Sequence, residues 1–297
     1  MAQQSAWAVD EARTLDFDGR PVDELHVRLV NGTVNVVGTD APAAAGEAGG
    51  APAARVEITE VHGAPVTVRY QDGRLTVGYD DLPWQGFLKW LDGKGWERSA
   101  VVSVSVPASV RLTVGVVGAS AMVSGISGRT EVRGVTGGTT LVGLTGPARA
   151  DTVSGDVEAQ GLGGELRFGS VSGGLTVIDG RSPSVRADSM SGTMMLDLAP
   201  SDTPADLRLS TVSGEVAVRL PDPADAVVSA GTAGGTVSSA FDELTATGQW
   251  AGKKLGGTLG AGRGRVQVTT VSGSVAVLRR PPGPDEAPAA TTLRKDA

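Results

Sequence analysis

The chain has 297 residues, a net charge of −7, 40% hydrophobic residues, 43 glycines and no cysteine. That length can bury a sizeable core in one long all-β or repeat domain, and the lack of cysteine excludes disulfides, thiolate metal sites and a thiol nucleophile. The mildly acidic balance disfavours nucleic acid as a partner; without a basic, apolar leader or a long uncharged apolar run, the expectation is a cytoplasmic protein with no integral membrane segment.

Residues 1–13 read as an N-terminal arm, and strand patterns begin at residue 14. In "ELHVRLVNGTVNVVG", Leu25, Val27 and Leu29 alternate before a turn at Asn31-Gly32, and Val34 and Val36 alternate after it. "DAPAAAGEAGGAPAA" (40–54) is too poor in large apolar groups to pack and reads as a mobile insertion. Strands resume in "RVEITEV" and in "APVTVRYQDGRLTVGY", which Asp72-Gly73 breaks. In "DLPWQGFLKWLD" (81–92), Trp84, Phe87, Leu88 and Leu91 fall on one face of a short helix, with Asp81 placed to cap it and Gly93 to stop it. "SAVVSVSVPASVRLTVGVVG" then returns to strands.

From there a nine-residue ruler takes over, marked by Gly128, Gly137, Gly146, Gly155, Gly164 and Gly173. With Ser127 as position 1, position 6 reads Val132, Leu141, Ala150, Ala159, Phe168 and Val177, and position 4 is small or apolar throughout. Positions 4 and 6 share one side of a strand, and the flanking glycines supply backbone angles that other residues resist. Position 9 (Val135, Leu144, Val153, Leu162, Val171) breaks the alternation, as expected if each corner turns an apolar side chain inward. One such unit cannot bury its own apolar face, so units must stack. Two units make a coil of eighteen residues, which sets Glu131 beside Arg149 and Glu158 between Thr140 and Thr176. The predicted architecture is an all-β parallel β-solenoid of about 18–22 residues per coil; a nine-residue antiparallel meander is the competing reading. The spacing loosens after Arg181, with an insertion at "APSDTPAD" (199–206), but the signature returns in "MSGTMML", "VSGEVAVRLP" and "VSGSVAVLRR". The solenoid is expected over 14–278 and a disordered tail over 279–297.

The run of "VRLVNGTVNVVGTD", "DGRLTV", "VSVPASVRLTV", "VSGDVEA…GGELRF…VSGGLTV" and "TTVSGSVAVLRR" resembles the adhesin-like family of bacterial β-strand-repeat proteins, a domain of unknown function. The resemblance covers about residues 14–280 and implies a right-handed single-stranded parallel β-helix. The Ala-rich insertion and the aromatic helix stand outside the family pattern, and the family offers no catalytic residue to carry over.

Chemistry finds little to hold. A calcium-binding nonapeptide roll needs Asp where position 6 is apolar here. Polysaccharide cleavage needs paired carboxylates on one ledge, whereas Asp151, Asp156 and Asp179 fall at different positions of the repeat, and Asp188 and Asp197 lie beyond it. His26 and His62 are far apart, and "KKLGGTLGAGRGR" (253–265) lacks the residue order of a phosphate loop. No catalytic, metal or cofactor site is therefore expected. Trp84, Phe87, Leu88, Trp90 and Leu91 are the candidate partner or cap residues, the cap covering an open end of the solenoid. The functional expectation is a non-enzymatic scaffold or protein-interaction module, with a protein partner or self-association. The alternatives are a carbohydrate-binding or carbohydrate-acting β-helix and a peripheral envelope-stress or adhesion component.

Overall fold

The computed structural model describes residues 4–40, 54–79, 97–248 and 252–281. Among them there are 26 strands and no helix. The strands form two sheets, a front sheet of 14 and a back sheet of 12, both mostly parallel. Through the middle of the chain, successive strands alternate between them. The front sheet takes Arg111–Val116, Thr130–Gly134, Ala148–Thr152, Leu166–Ser170, Ser184–Ser189 and Asp206–Thr211. The back sheet takes Ser120–Ser124, Thr139–Val142, Val157–Gln160, Leu175–Gly180, Met194–Leu198 and Val216–Leu220.

Neighbours within a sheet are parallel and, through the regular stretch, offset by the expected eighteen residues: Glu131 lies beside Arg149, and Glu158 lies between Thr140 and Thr176. The antiparallel meander is excluded there. Strand alternation sends every second side chain inward, so the front sheet stacks Val132, Ala150, Phe168, Ala187 and Leu209. The back sheet stacks Leu141, Ala159, Val177, Leu196 and Val218. All ten are buried, and they belong to one continuous core.

The glycines of the nine-residue ruler answer to close approach rather than to unusual backbone angles. A Cβ on Gly146 would lie 2.3 Å from the Gly128 carbonyl oxygen, and one on Gly173 would lie 2.1 Å from that of Gly155. Stacked connections touch there, and only a residue without a side chain fits.

The two kinds of connection differ, so the true repeat is eighteen residues. Where the chain passes from back sheet to front, Gly125, Gly143 and Gly161 take positive φ, and the next residue (Ile126, Leu144, Leu162) is buried. Where it passes from front to back, Thr152 or Ser170 accepts a hydrogen bond from the N–H of Gly155 or Gly173, at 2.9 and 2.7 Å. That local turn points the intervening residue outward. The inward position 9 therefore holds for Leu144 and Leu162 and fails for Val153 and Val171, which are 41% and 46% exposed.

Both ends depart from chain order. Strands Glu24–Leu29 and Asn31–Thr39 lie in different sheets, so Asn31-Gly32 is a crossing and not a hairpin turn. Asp72-Gly73, in contrast, closes an antiparallel hairpin, with positive φ at both residues. The segment expected to be an N-terminal arm enters the sheets from Gln4: Gln4–Val9 pairs antiparallel with Val66–Gln71. Its alternation turns Trp7 and Val9 inward, and Trp7 meets Phe17 edge-on at 5.7 Å. At the other end, Ala226–Thr232 pairs antiparallel with Lys253–Leu259. The last strands, Gly264–Thr270 and Val275–Arg279, lodge between the two preceding pairs. The helix expected over 81–92 and nearly all of the 40–54 insertion lie outside the described residues, as does the expected 279–297 tail from 282 on; Arg279, expected to open that tail, instead ends the last strand.

Candidate functional site

Trp84, Phe87, Leu88, Trp90 and Leu91 also lie outside the described residues. Within those residues, antiparallel strands close both sheets at the N-terminal end and the front sheet at the C-terminal end, while the back sheet ends there on a short parallel strand. Three surface features carry chemistry.

The first is an apolar ladder along the front-to-back connections. The front strands are neighbours, so the residues that follow them line up: Val153, Val171, Met190, Val212 and Val271. Their exposures are 41, 46, 59, 49 and 52%. With strands about 4.8 Å apart, the row runs about 20 Å. Beside it runs a row of hydroxyls already engaged within the fold. Ser154, Ser172, Ser213 and Ser272 each donate to a carbonyl of the neighbouring connection, at 3.2 to 3.4 Å. The hydroxyls fix the connections, and the outward apolar side chains are left to solvent. The repeat showed Val153 and Val171, but averaging the two kinds of connection placed them inside; Met190, Val212 and Val271 lie beyond the nine-residue frame.

The second is a cleft of about 570 Å³, lined by 199–205, 221–226 and Gly260, Ala261 and Arg263 among others. These loops are where the repeat lengthens, and all three fall at one edge of the sheets. Insertions in a stacked fold gather on one face in this way. Pro200, Pro204, Pro221 and Pro223 stiffen its rim, and Asp225 pairs with Arg263. The Arg263 backbone N–H and then its guanidinium hold the Asp225 carboxyl below its ordinary range. The glycine-rich 253–265 segment contributes its turn to this rim and opens no helix.

The third is a column of arginines on the outer side of the front sheet, where register places Arg149, Arg167, Arg186 and Arg208 side by side. All four are exposed. The nine-residue frame hid this column by interleaving it with Thr140, Glu158 and Thr176 of the back sheet. Reading every second unit brings it out.

The carboxylates considered for catalysis are dispersed or neutralised. Asp151 binds Arg149 at 2.6 Å on its own strand, and Asp156 accepts the Gly174 N–H at 2.8 Å. Asp179 and Asp197 are brought together on the back sheet around Arg280, at 2.9 and 3.9 Å. Asp188 stands on the front sheet. His26 is half-buried and 3.8 Å from Glu24, and burial pushes its pKa down. Among the described residues no three His, Asp or Glu gather as metal ligands would, and no helix is long and apolar enough to cross a membrane.

No family model and no curated protein matches the chain. Among solved structures, a "putative cell adhesion protein" from Clostridium sporogenes aligns over 94% of this chain and 100% of its own, at 10% identity and a TM-score of 0.30. A score at that level establishes neither a shared family nor a shared fold.

Proposed function

We propose that the chain is a non-enzymatic β-solenoid, its two sheets forming the faces of one stack, and that it serves as a scaffold for protein contact. The observation that carries this reading is the exposed ladder of Val153, Val171, Met190, Val212 and Val271. Contiguous apolar surface mapped onto repeating positions marks an interaction face. The ladder repeats at the strand spacing, about 4.8 Å. A second copy laid alongside offers the same period, so side chains from the two ladders interdigitate along their whole length, as identical stacked rows do in steric zippers. The partner is therefore a second copy of this chain.

Growth from the ends is less favoured. The edge strands at the C-terminal end, Val237–Ser239 and Thr245–Thr247, are three residues each. Short edges offer little template for further pairing.

The test is light scattering on a size-exclusion column over a range of concentrations, for the wild type and for Val171→Lys/Met190→Lys. The expected result is a wild-type mass that rises to that of a dimer, with a variant that stays monomeric and melts at the same temperature. A wild type monomeric throughout overturns self-association. Filaments seen by electron microscopy in both proteins would move the contact to the ends and overturn the lateral arrangement.

A further inference from the structure

We infer that the arginine column on the front sheet is a docking site for an acidic α-helix of another protein, one carrying Glu or Asp along one face. This is a different face from the apolar ladder and a different partner, so the two readings stand or fall separately.

The column sets four guanidinium side chains on successive strands, Arg149, Arg167, Arg186 and Arg208, in direct register. Like charges directly opposite one another on neighbouring strands are destabilising. Position 5 faces solvent, where many residues would serve the fold equally well, so three such contacts in a row cost stability with no return in packing. An anion array laid across them reverses the sign of that cost.

The ends of the column are internally balanced and the middle is not. Arg149 pairs with Asp151 at 2.6 Å, and Arg208 pairs with Asp206 at 3.3 Å. Arg167 and Arg186 have no ion pair among the described residues. Two shallow depressions lie along the same line, one lined by Arg149 and Arg167, the other by Arg186 and Arg208.

Spacing selects the partner. The guanidinium groups repeat at the strand separation, about 4.8 Å. A helix returns a side chain to the same face each turn, about 5.4 Å along its axis, so over three steps the misfit is about 2 Å, within reach of flexible arginines. An extended peptide presents same-side residues about 6.8 Å apart and drifts by about 6 Å over the same three steps. A nucleic-acid duplex carries a phosphate about every 3.4 Å per strand; that denser row falls out of step and meets Asp188 and the other carboxylates beside the column. Those carboxylates suit a helix whose acidic face is bordered by Lys or Ser. The planar guanidinium fork then engages each carboxylate through two parallel N–H bonds. The net charge of −7 does not prevent this, because charges beyond about 8 Å are screened at physiological salt.

The experiment is fluorescence anisotropy with a labelled helical peptide of about 16 residues, its Glu side chains at i, i+3 and i+4 spacing on one face. A peptide of the same composition with Glu spread around the helix, a DNA duplex and a polyuronate chain are the comparison probes. The patterned peptide is expected to bind at least tenfold more tightly than each of them and to weaken as salt rises. Arg167→Ser/Arg186→Ser is expected to lose about tenfold in affinity with its melting curve unchanged. Arg167→Lys/Arg186→Lys, which keeps charge and loses the fork, is expected to fall between that variant and the wild type. Equal binding of patterned and scrambled peptides, tighter binding of duplex or polyuronate, or full affinity in the serine variant would overturn the proposal.

Discussion

At Gly155, Gly173, Gly192 and Gly214, the carbonyl oxygen of the preceding repeat's glycine stands 2.0 to 2.2 Å from where a Cβ would be. The obstacle is backbone on both sides, so it cannot rotate away. Gly173→Ala must therefore push two stacked connections apart, and overpacking of this kind costs about 2 kcal/mol. Gly138 has open space around the same atom and an ordinary φ, so Gly138→Ala is expected to stay within about 0.5 kcal/mol of wild type. Urea unfolding of the two variants side by side measures the difference; equal stabilities would mean that the stack tolerates separation. The sequence displayed these glycines plainly but not their reason. A glycine needed for a left-handed turn and one needed for backbone contact look alike in a linear chain. Only the eighteen-residue register puts Gly155 beneath Gly173.

Each strand of the regular stretch contributes two or three inward side chains, so the core is a set of columns whose volumes must balance along the stack. Phe168 is the large member of its column, and its neighbours in register are Ala150 and Ala187. Small residues on both sides make room for one ring. Phe168→Ala removes the ring from three adjacent strands at once, with an expected cost of about 3–5 kcal/mol; thermal or urea unfolding reads it, and a loss below about 1 kcal/mol would mean the column collapses to fill the space. The strand faces were legible because alternation needs only local order. The connections were not. Val153 and Leu144 share position 9, but one follows a hydroxyl turn and the other a positive-φ glycine, and a nine-residue alignment merges them. The arginine column was lost the same way, since Arg149 and Arg167 belong to one sheet and Glu158 to the other. Ion pairing also runs differently from the register alone: Glu131 sits beside Arg149 but binds Arg133 of its own strand at 2.5 Å, as Arg149 binds Asp151. Residues two apart on a strand lie on one side and are joined without waiting for a neighbour.

For the whole molecule, the lasting surprise is the order of strands at the C-terminal end. Gly264–Thr270 lies between Asp206–Thr211 and Ala226–Thr232, and Val275–Arg279 lies between Val216–Leu220 and Val237–Ser239. The later stretch thus forms the interior of the stack, while the stretch made before it forms the margin. A ribosome releasing this chain delivers residues 226–259 before 264–279, the strands that join them to the stack in the finished fold. In the finished fold they form a flap, tethered at 220, whose pairing with the stack runs through residues 264–279 as a keystone. Cutting the chain after residue 262 should therefore release more structure than it removes: amide exchange should speed up across 226–259 as well, whereas a change confined to 206–220 would show that the flap can dock without its keystone. Passage of residues 264–279 is a folding checkpoint, since a message truncated before them yields a product with a gap in its middle rather than a frayed tip.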